Sequence, residues 1–238
     1  MALPKLEHPT YELEVPSTGK KIKYRPFVVK EEKVLLLALQ SDDADSIQSA
    51  VRDLLTACIQ TRGFKIDDLA TFDLEYIFLK IRAASVGEMI EMQVTCLDDG
   101  ETRVTTQINL HNVEVVKPEG HSSKIMLDDK VGVVMKYPGF SRFVEGSIVE
   151  KEVTTDDVFE ILADSIDQIF DEDSVYDEST TTRKEKIEFV QRFTNEQFEK
   201  VQQFFETAPK LQHTFSVVNP NTGVKSDYTI EGLQSFFG

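Results

Sequence analysis

The chain is short of basic residues, of cysteine and of long apolar runs, and each shortage removes a class of function. Among 238 residues, 26 are Lys or Arg against 42 Asp or Glu, giving a net charge of −16 and an isoelectric point near 4.7. A surface of that sign repels nucleic-acid phosphates and anionic lipid, so neither nucleic acid nor membrane is an expected partner. Cys58 and Cys96 are the only cysteines. Both fall on apolar patterns, which predicts two buried, reduced thiols with no disulfide framework. No stretch reaches the roughly 18 apolar residues of a membrane span. The opening MALPKLEHPTYELEVP lacks the apolar core of a signal peptide, so a cytoplasmic protein is expected.

Chemistry-bearing motifs are equally scarce. Gly19-Lys20-Lys21 lacks the upstream glycine of a phosphate-binding loop, and no GxSxG elbow occurs. His8, His111, His121 and His213 are scattered without metal-ligand spacing, and each reads as an exposed polar residue near a turn or strand end. An EF-hand aligned on Asp171 would need an oxygen ligand at Val175, glycine at Tyr176 and a carboxylate at Thr182, and all three fail. The expectation is therefore a protein with no catalytic residues, no cofactor and no bound metal.

What the chain does contain is a helix feeding a β-ribbon. Leu74, Ile77, Phe78 and Ile81 mark one helical face, with Thr71 or Asp73 as N-cap. After Gly87 the period changes to two: Ile90, Met92, Val94 and Cys96 alternate with polar residues, as do Val104, Thr106, Ile108 and Leu110 on the return. Leu97 to Glu101 forms the loop. Because that loop starts at a cysteine it invites a zinc reading, yet Cys96 is the one thiolate and Val218 to Asn221, at a second ribbon tip, supply none.

Around this centre, residues 11–24 read as a hairpin, Lys30 to Gln40 as a helix, and Ile47 to Ile59 as a second helix capped by Asp45 or Ser46 and ended by Gly63. Residues 124–143 read as short strands, including Phe140 and Phe143. Thr155 caps a helix carried through Ser165, Ile166 and Ile169. Thr182 with Glu185 and Thr194 with Gln197 form capping boxes for two further helices. Thr214 to Ile230 forms a closing ribbon with a turn at Asn219 to Gly223. The expected fold class is α+β: helices packed with antiparallel β-hairpins, and a helical C-terminal half ending in a short hairpin. The expected divisions are an α+β core at 1–118, a small β extension at 119–153, and an acidic helical segment at 154–238 that packs separately or as one unit with the first.

Two surfaces stand out as candidates for interaction. Residues 151–178 hold eleven acids and one lysine, and Asp171, Glu172, Asp173 and Asp177 form the densest part. The chain also closes on an apolar tip at Leu233, Phe236 and Phe237, which packs on the body or on a partner.

The helix end KIRAASVGE, the ribbon with Cys96 at its tip, the continuation Asn112-Val113-Glu114-Val115 and the close TIEGLQSFFG together resemble the baseplate hub assembly proteins of T4-like contractile-tailed bacteriophages. The resemblance implies a non-enzymatic role in building the baseplate hub, with other phage baseplate proteins as partners. It implies a protein of the host cytoplasm during assembly, either retained in the virion tail or lost from it. It supplies no catalytic residues, and a metal at the ribbon tips is not implied where Cys96 stands alone. A transient chaperone or adaptor remains the alternative, and an enzyme with a hidden site a remoter one. The resemblance leaves oligomeric state open.

Overall fold

The computed structural model describes residues 6–41, 43–147 and 154–236. The fold is α+β: the described residues form helices and small antiparallel sheets. The chain divides into two compact units, both discontinuous in sequence. Unit 1 is Met1–Val116, Phe140–Val149 and Lys210–Gly238, and unit 2 is Lys117–Gly139 and Glu150–Pro209. The three consecutive divisions expected from the sequence are thus redistributed. The β segment near 124–135 joins the helices up to 209, whereas the last 29 residues belong with the first 116.

Unit 1 is built on α3 (Thr71–Val86), whose side chains are buried almost all round rather than on one face. Leu74, Ile77, Leu79 and Ile81 are fully covered. Burying four such side chains contributes roughly 1.5–3 kcal/mol each before entropy is counted. Neither expected cap is used: Ala70 stands at the N-cap without a side-chain bond, and α3 ends at Gly87 with φ 137°. Asp73 is instead a buried tertiary anchor. Its carboxylate accepts from the Ser17 N–H at 2.9 Å and from the Ser17 hydroxyl, which ties the turn of the first hairpin, β1 (Tyr11–Glu14) and β2 (Lys21–Tyr24), to the helix.

A second anchor sits about two turns further along α3. The buried Lys80 ammonium donates to the carbonyls of Leu110, His111 and Val113 at 2.9, 3.0 and 3.1 Å. It thereby satisfies the irregular backbone that follows the ribbon β3 (Met89–Thr95) and β4 (Arg103–Asn109). The ribbon forms where the sequence places it, pairing from Met89 opposite Asn109 to Thr95 opposite Arg103. Beyond it, β5 (Glu114–Val116) pairs with β10 (Lys210–Val218), which pairs in turn with β11 (Lys225–Glu231). That pairing is what brings the C-terminal segment into unit 1.

The remaining helices of unit 1 are α1 (Val29–Ser41), α2 (Ala44–Cys58) and α4 (Phe140–Ser147). The second helix starts and stops earlier than the sequence predicts. Asp43 caps it by accepting from the Ser46 N–H at 3.0 Å, and Ile59 leaves the helix to bridge Tyr24. Phe140, Phe143 and Val144 lie on a helix, not a strand; their i, i+3, i+4 spacing buries all three in the unit 1 core.

Unit 2 holds a four-stranded antiparallel sheet in the order β6 (Lys124–Met126), β7 (Gly132–Met135), β8 (Ile166–Phe170), β9 (Val175–Tyr176). Three helices accompany it: α5 (Thr155–Asp164), α6 (Arg183–Val190) and α7 (Asn195–Glu206). All three carry complete capping boxes, the first through Thr154 and Asp157 instead of Thr155. The helix expected to run on to Ile169 stops at Ser165, and Ile166 to Phe170 becomes an inner strand. Its core is Leu127, Val133, Met135, Leu162, Ile166, Ile169, Val190, Val201 and Phe204.

Candidate interaction surfaces

The densest acids line the outer edge of unit 2. Asp171 opens the β8–β9 turn, where its Oδ1 accepts from the N–H groups of Asp173 and Ser174 at 2.9 and 2.8 Å. This is the side-chain turn that Asp forms most readily, and it leaves Glu172 and Asp173 at the exposed tip. Lys130 reaches Glu172 at 3.4 Å, with both side chains mostly exposed, a contact that contributes little. Asp177 organises the next turn, accepting from the N–H and hydroxyl of Ser179 at 2.8 and 2.6 Å; these bonds hold its carboxyl below the usual range. Lys136 holds Glu178 low in the same way.

Between this edge and α6 lies a groove of about 500 Å³. Val131, Ile169, Phe170 and Phe189 give it an apolar floor. Asp171, Glu185 and Glu188 line it with carboxylates, and Arg192 is its one basic lining residue. Of the four acids picked out in the sequence, Asp171 lines the groove itself, and Glu172, Asp173 and Asp177 sit in the turns that follow it in the chain. The groove was not legible beforehand, because Phe189 and Glu188 come from a helix that no local pattern connects to the β8–β9 turn. A second groove of unit 2, of about 430 Å³, runs along α5 and α7 and is lined by Val158, Ile161, Leu162, Phe198, Gln202 and Phe205.

The apolar C-terminal tip has a different fate. Leu233 and Phe236 are 1% and 2% exposed and belong to the unit 1 core, so they fasten a short 3-10 turn to its own body rather than presenting a surface. Phe237 lies outside the described residues.

The ribbon tips hold a site the sequence only hinted at. Asn219, 1% exposed in the β10–β11 turn, donates from Nδ2 to both Asp98 carboxylate oxygens at 3.0 and 3.1 Å and to Asp99 Oδ2 at 2.9 Å. Thr222 donates to Asp98, Asn221 to the Thr102 hydroxyl, and the Tyr228 hydroxyl to the Thr95 carbonyl at 2.9 Å. Thr222 and Asn219 hold the Asp98 carboxyl below its ordinary range, and bonds from Thr102, Glu101 and Asn219 hold Asp99 well below it. Burial pushes the Cys96 thiol up. The two loops that looked like knuckle halves thus do meet, joined by amide–carboxylate bonds. Among the described residues, no group of three or more His, Cys, Asp or Glu side chains is placed to hold a metal ion.

One histidine departs from its expected exposed setting. His121 is half-buried in unit 2, stacked on Tyr137 and packed against Phe204, with its ring nitrogens 2.8 Å from the Tyr137 hydroxyl and 2.9 Å from the Thr207 hydroxyl. Burial lowers its pKa. Among the described residues, no helix is long and apolar enough to cross a membrane.

The chain belongs to the T4 bacteriophage base plate protein family, whose model matches residues 8–238. No curated protein and no solved structure matches it.

Proposed function

We propose that this baseplate protein acts in assembly of the tail baseplate hub by protein–protein recognition, without chemistry of its own. Its acidic face on unit 2 docks a basic segment of another baseplate subunit. The observation that carries this reading is the groove beside the β8–β9 turn, which combines an apolar floor with carboxylates and one arginine. Apolar burial supplies affinity there, while the surrounding acids set partner choice and encounter rate. Asp171, Glu172, Asp173 and Asp177 are the proposed contact acids; Leu233 and Phe236 contribute through the core instead.

The test is hub assembly in infected cells with Asp171→Asn, Glu172→Lys, Asp173→Lys and Asp177→Asn combined. The two asparagines keep the turn acceptors while removing charge. Hub assembly should fall sharply, and assembly at the wild-type level would sink the proposal. Mass spectrometry of purified virions then separates a resident component, which stays in the tail, from a transient factor of the host cytoplasm, which does not.

A further inference from the structure

Unit 1 carries a group of cations that the acidic-groove reading does not use. Segments 20–25 and 60–65 hold Lys20, Lys21, Lys23, Arg25, Arg62 and Lys65 and no acid, in a chain of net charge −16. The fold lays the two segments side by side. The Gln60 N–H donates to the Lys23 carbonyl and the Lys23 N–H to the Thr61 hydroxyl, both at 2.8 Å, and Tyr24 bridges Ile59. Arg25 pairs with Glu31, Lys23 with Glu12, and Glu14 stands opposite Lys21 in the first hairpin. Among the described residues, the exposed Lys20, Arg62 and Lys65 form no ion pair.

Two of these three meet at a pocket of about 390 Å³, whose walls include Arg52, Thr56, Ile59, Phe64, Lys65 and Asp67. The Lys20 ammonium lies over the Phe64 ring, 5.3 Å from its centre. Arg52 is held in place by stacking over Phe140, 4.3 Å from that ring's centre, and by Asp67, which accepts from one arm of its guanidinium. Lys20, Arg52 and Lys65 set against Asp67 leave the pocket with a surplus of positive charge.

We infer that this pocket docks an acidic segment of another protein, which sets an apolar side chain against Ile59 and Phe64 and carboxylates against Arg52, Lys65 and Lys20.

Charge and shape select that occupant. The surplus attracts a partner's carboxylates within the Debye length, about 8 Å at physiological salt. An extended polyanion such as nucleic acid runs beyond that distance into the field of a chain at −16 and is repelled. A small anion finds no enclosure, because Lys65 is exposed and the Arg52 side chain is 39% exposed. Small-ligand sites bury most of their ligand. Arg52 already holds one carboxylate, that of Asp67, and its planar fork suits a second. The apolar walls at Ile59 and Phe64 add burial that a purely ionic contact lacks.

NMR titration of the isotope-labelled full-length protein tests this, with a short synthetic peptide of Asp and Glu around one Phe as the probe. The peptide should shift the amides of Lys20 and of Thr61 to Asp67, and should bind more weakly as salt rises. Lys20→Glu with Lys65→Glu should raise its Kd by about tenfold or more at an unchanged melting temperature, since both side chains are exposed. Lys20→Arg with Lys65→Arg should keep the wild-type Kd, and replacing the peptide's Phe with Ser should weaken binding severalfold. No shift at these amides overturns the inference, as does an equal Kd for the Glu variant. So does tighter binding of polyphosphate or inorganic phosphate at the same amides, or self-association of the protein that the Glu variant abolishes. Substitution of Asp171, Glu172, Asp173 and Asp177 leaves this pocket untouched, so the groove proposal stands or falls separately.

Discussion

Unit 1 and unit 2 use polar groups in opposite ways. In unit 1 the decisive bonds join residues far apart in sequence: Ser17 to Asp73, Lys80 to the carbonyls after the ribbon, Asn219 to Asp98 and Asp99. In unit 2 most are local, such as the three capping boxes and the Asp171 and Asp177 turns. Its longer-range bonds are fewer: the buried Lys186 ammonium donates to the Ile166 carbonyl at 2.7 Å, His121 meets Tyr137 and Thr207, and the Arg183 contacts to Glu160 and Asp164 lie on the surface. Local bonds fix turns and helix ends without drawing the acids inward. Unit 2 has 20 acidic and 10 basic residues, so about a third of the chain carries −10 of its −16. Charge held outward in this way is available to a partner, whereas the polar groups of unit 1 are spent on register.

This contrast is open to attack by mutation, and the largest effects belong in unit 1. Ile77→Ala, at a fully buried position of α3, should cost about 2–5 kcal/mol in urea unfolding. A loss below about 1 kcal/mol would show that α3 is not the centre of the unit. Lys80→Met strips three carbonyls of their donor, those of Leu110 and Val113 buried, and should cost about 1–3 kcal/mol by the same measurement.

The ribbon tips give a pH signature. Asp98 and Asp99 are depressed in the folded state, so the stability they contribute is present above the ordinary carboxylate value near 4 and is lost as pH falls through their folded values. Hydrogen-exchange protection factors at Leu97 to Glu101 and at Asn219 to Gly223 should therefore fall below about pH 4 while those of α3 stay high. Asn219→Ala should bring that loosening to higher pH; equal protection of both loops at low pH would refute the staple. Smallest of all, Glu172→Lys with Asp173→Lys should change stability by less than about 0.5 kcal/mol, because neither side chain holds the fold.

The sequence displayed unit 1 better than it displayed the division of the chain. Period-two alternation found the three hairpins, and Thr182 with Glu185 and Thr194 with Gln197 announced two helix starts, because a capping box is complete within four residues. Ile166 to Phe170 was mistaken for helix because Ile166 and Ile169 stand three apart and continue the spacing of Leu162 and Ile161. What makes the segment a strand is pairing with β7 and β9, a long-range preference with no local trace. Phe140, Phe143 and Val144 carry helical spacing, but the Pro138-Gly139 pair before them is a turn signal that suits a break between strands equally well. The acids of the candidate surface were visible as a charge run, and their groove was not. Both ribbon turns were visible too. That Asn219 would meet Asp98 could not be read from residues 121 positions apart.

The most direct measurement of the central claim is recovery of baseplate subunits from infected cells on the tagged full-length protein, quantified by mass spectrometry at physiological salt. Wild-type protein should recover a basic baseplate subunit. The variant carrying Asp171→Asn, Glu172→Lys, Asp173→Lys and Asp177→Asn, with an unchanged melting temperature, should lose at least nine-tenths of it, the tenfold drop expected when about 1.4 kcal/mol of binding is removed. Equal recovery of that subunit by both proteins would contradict the account.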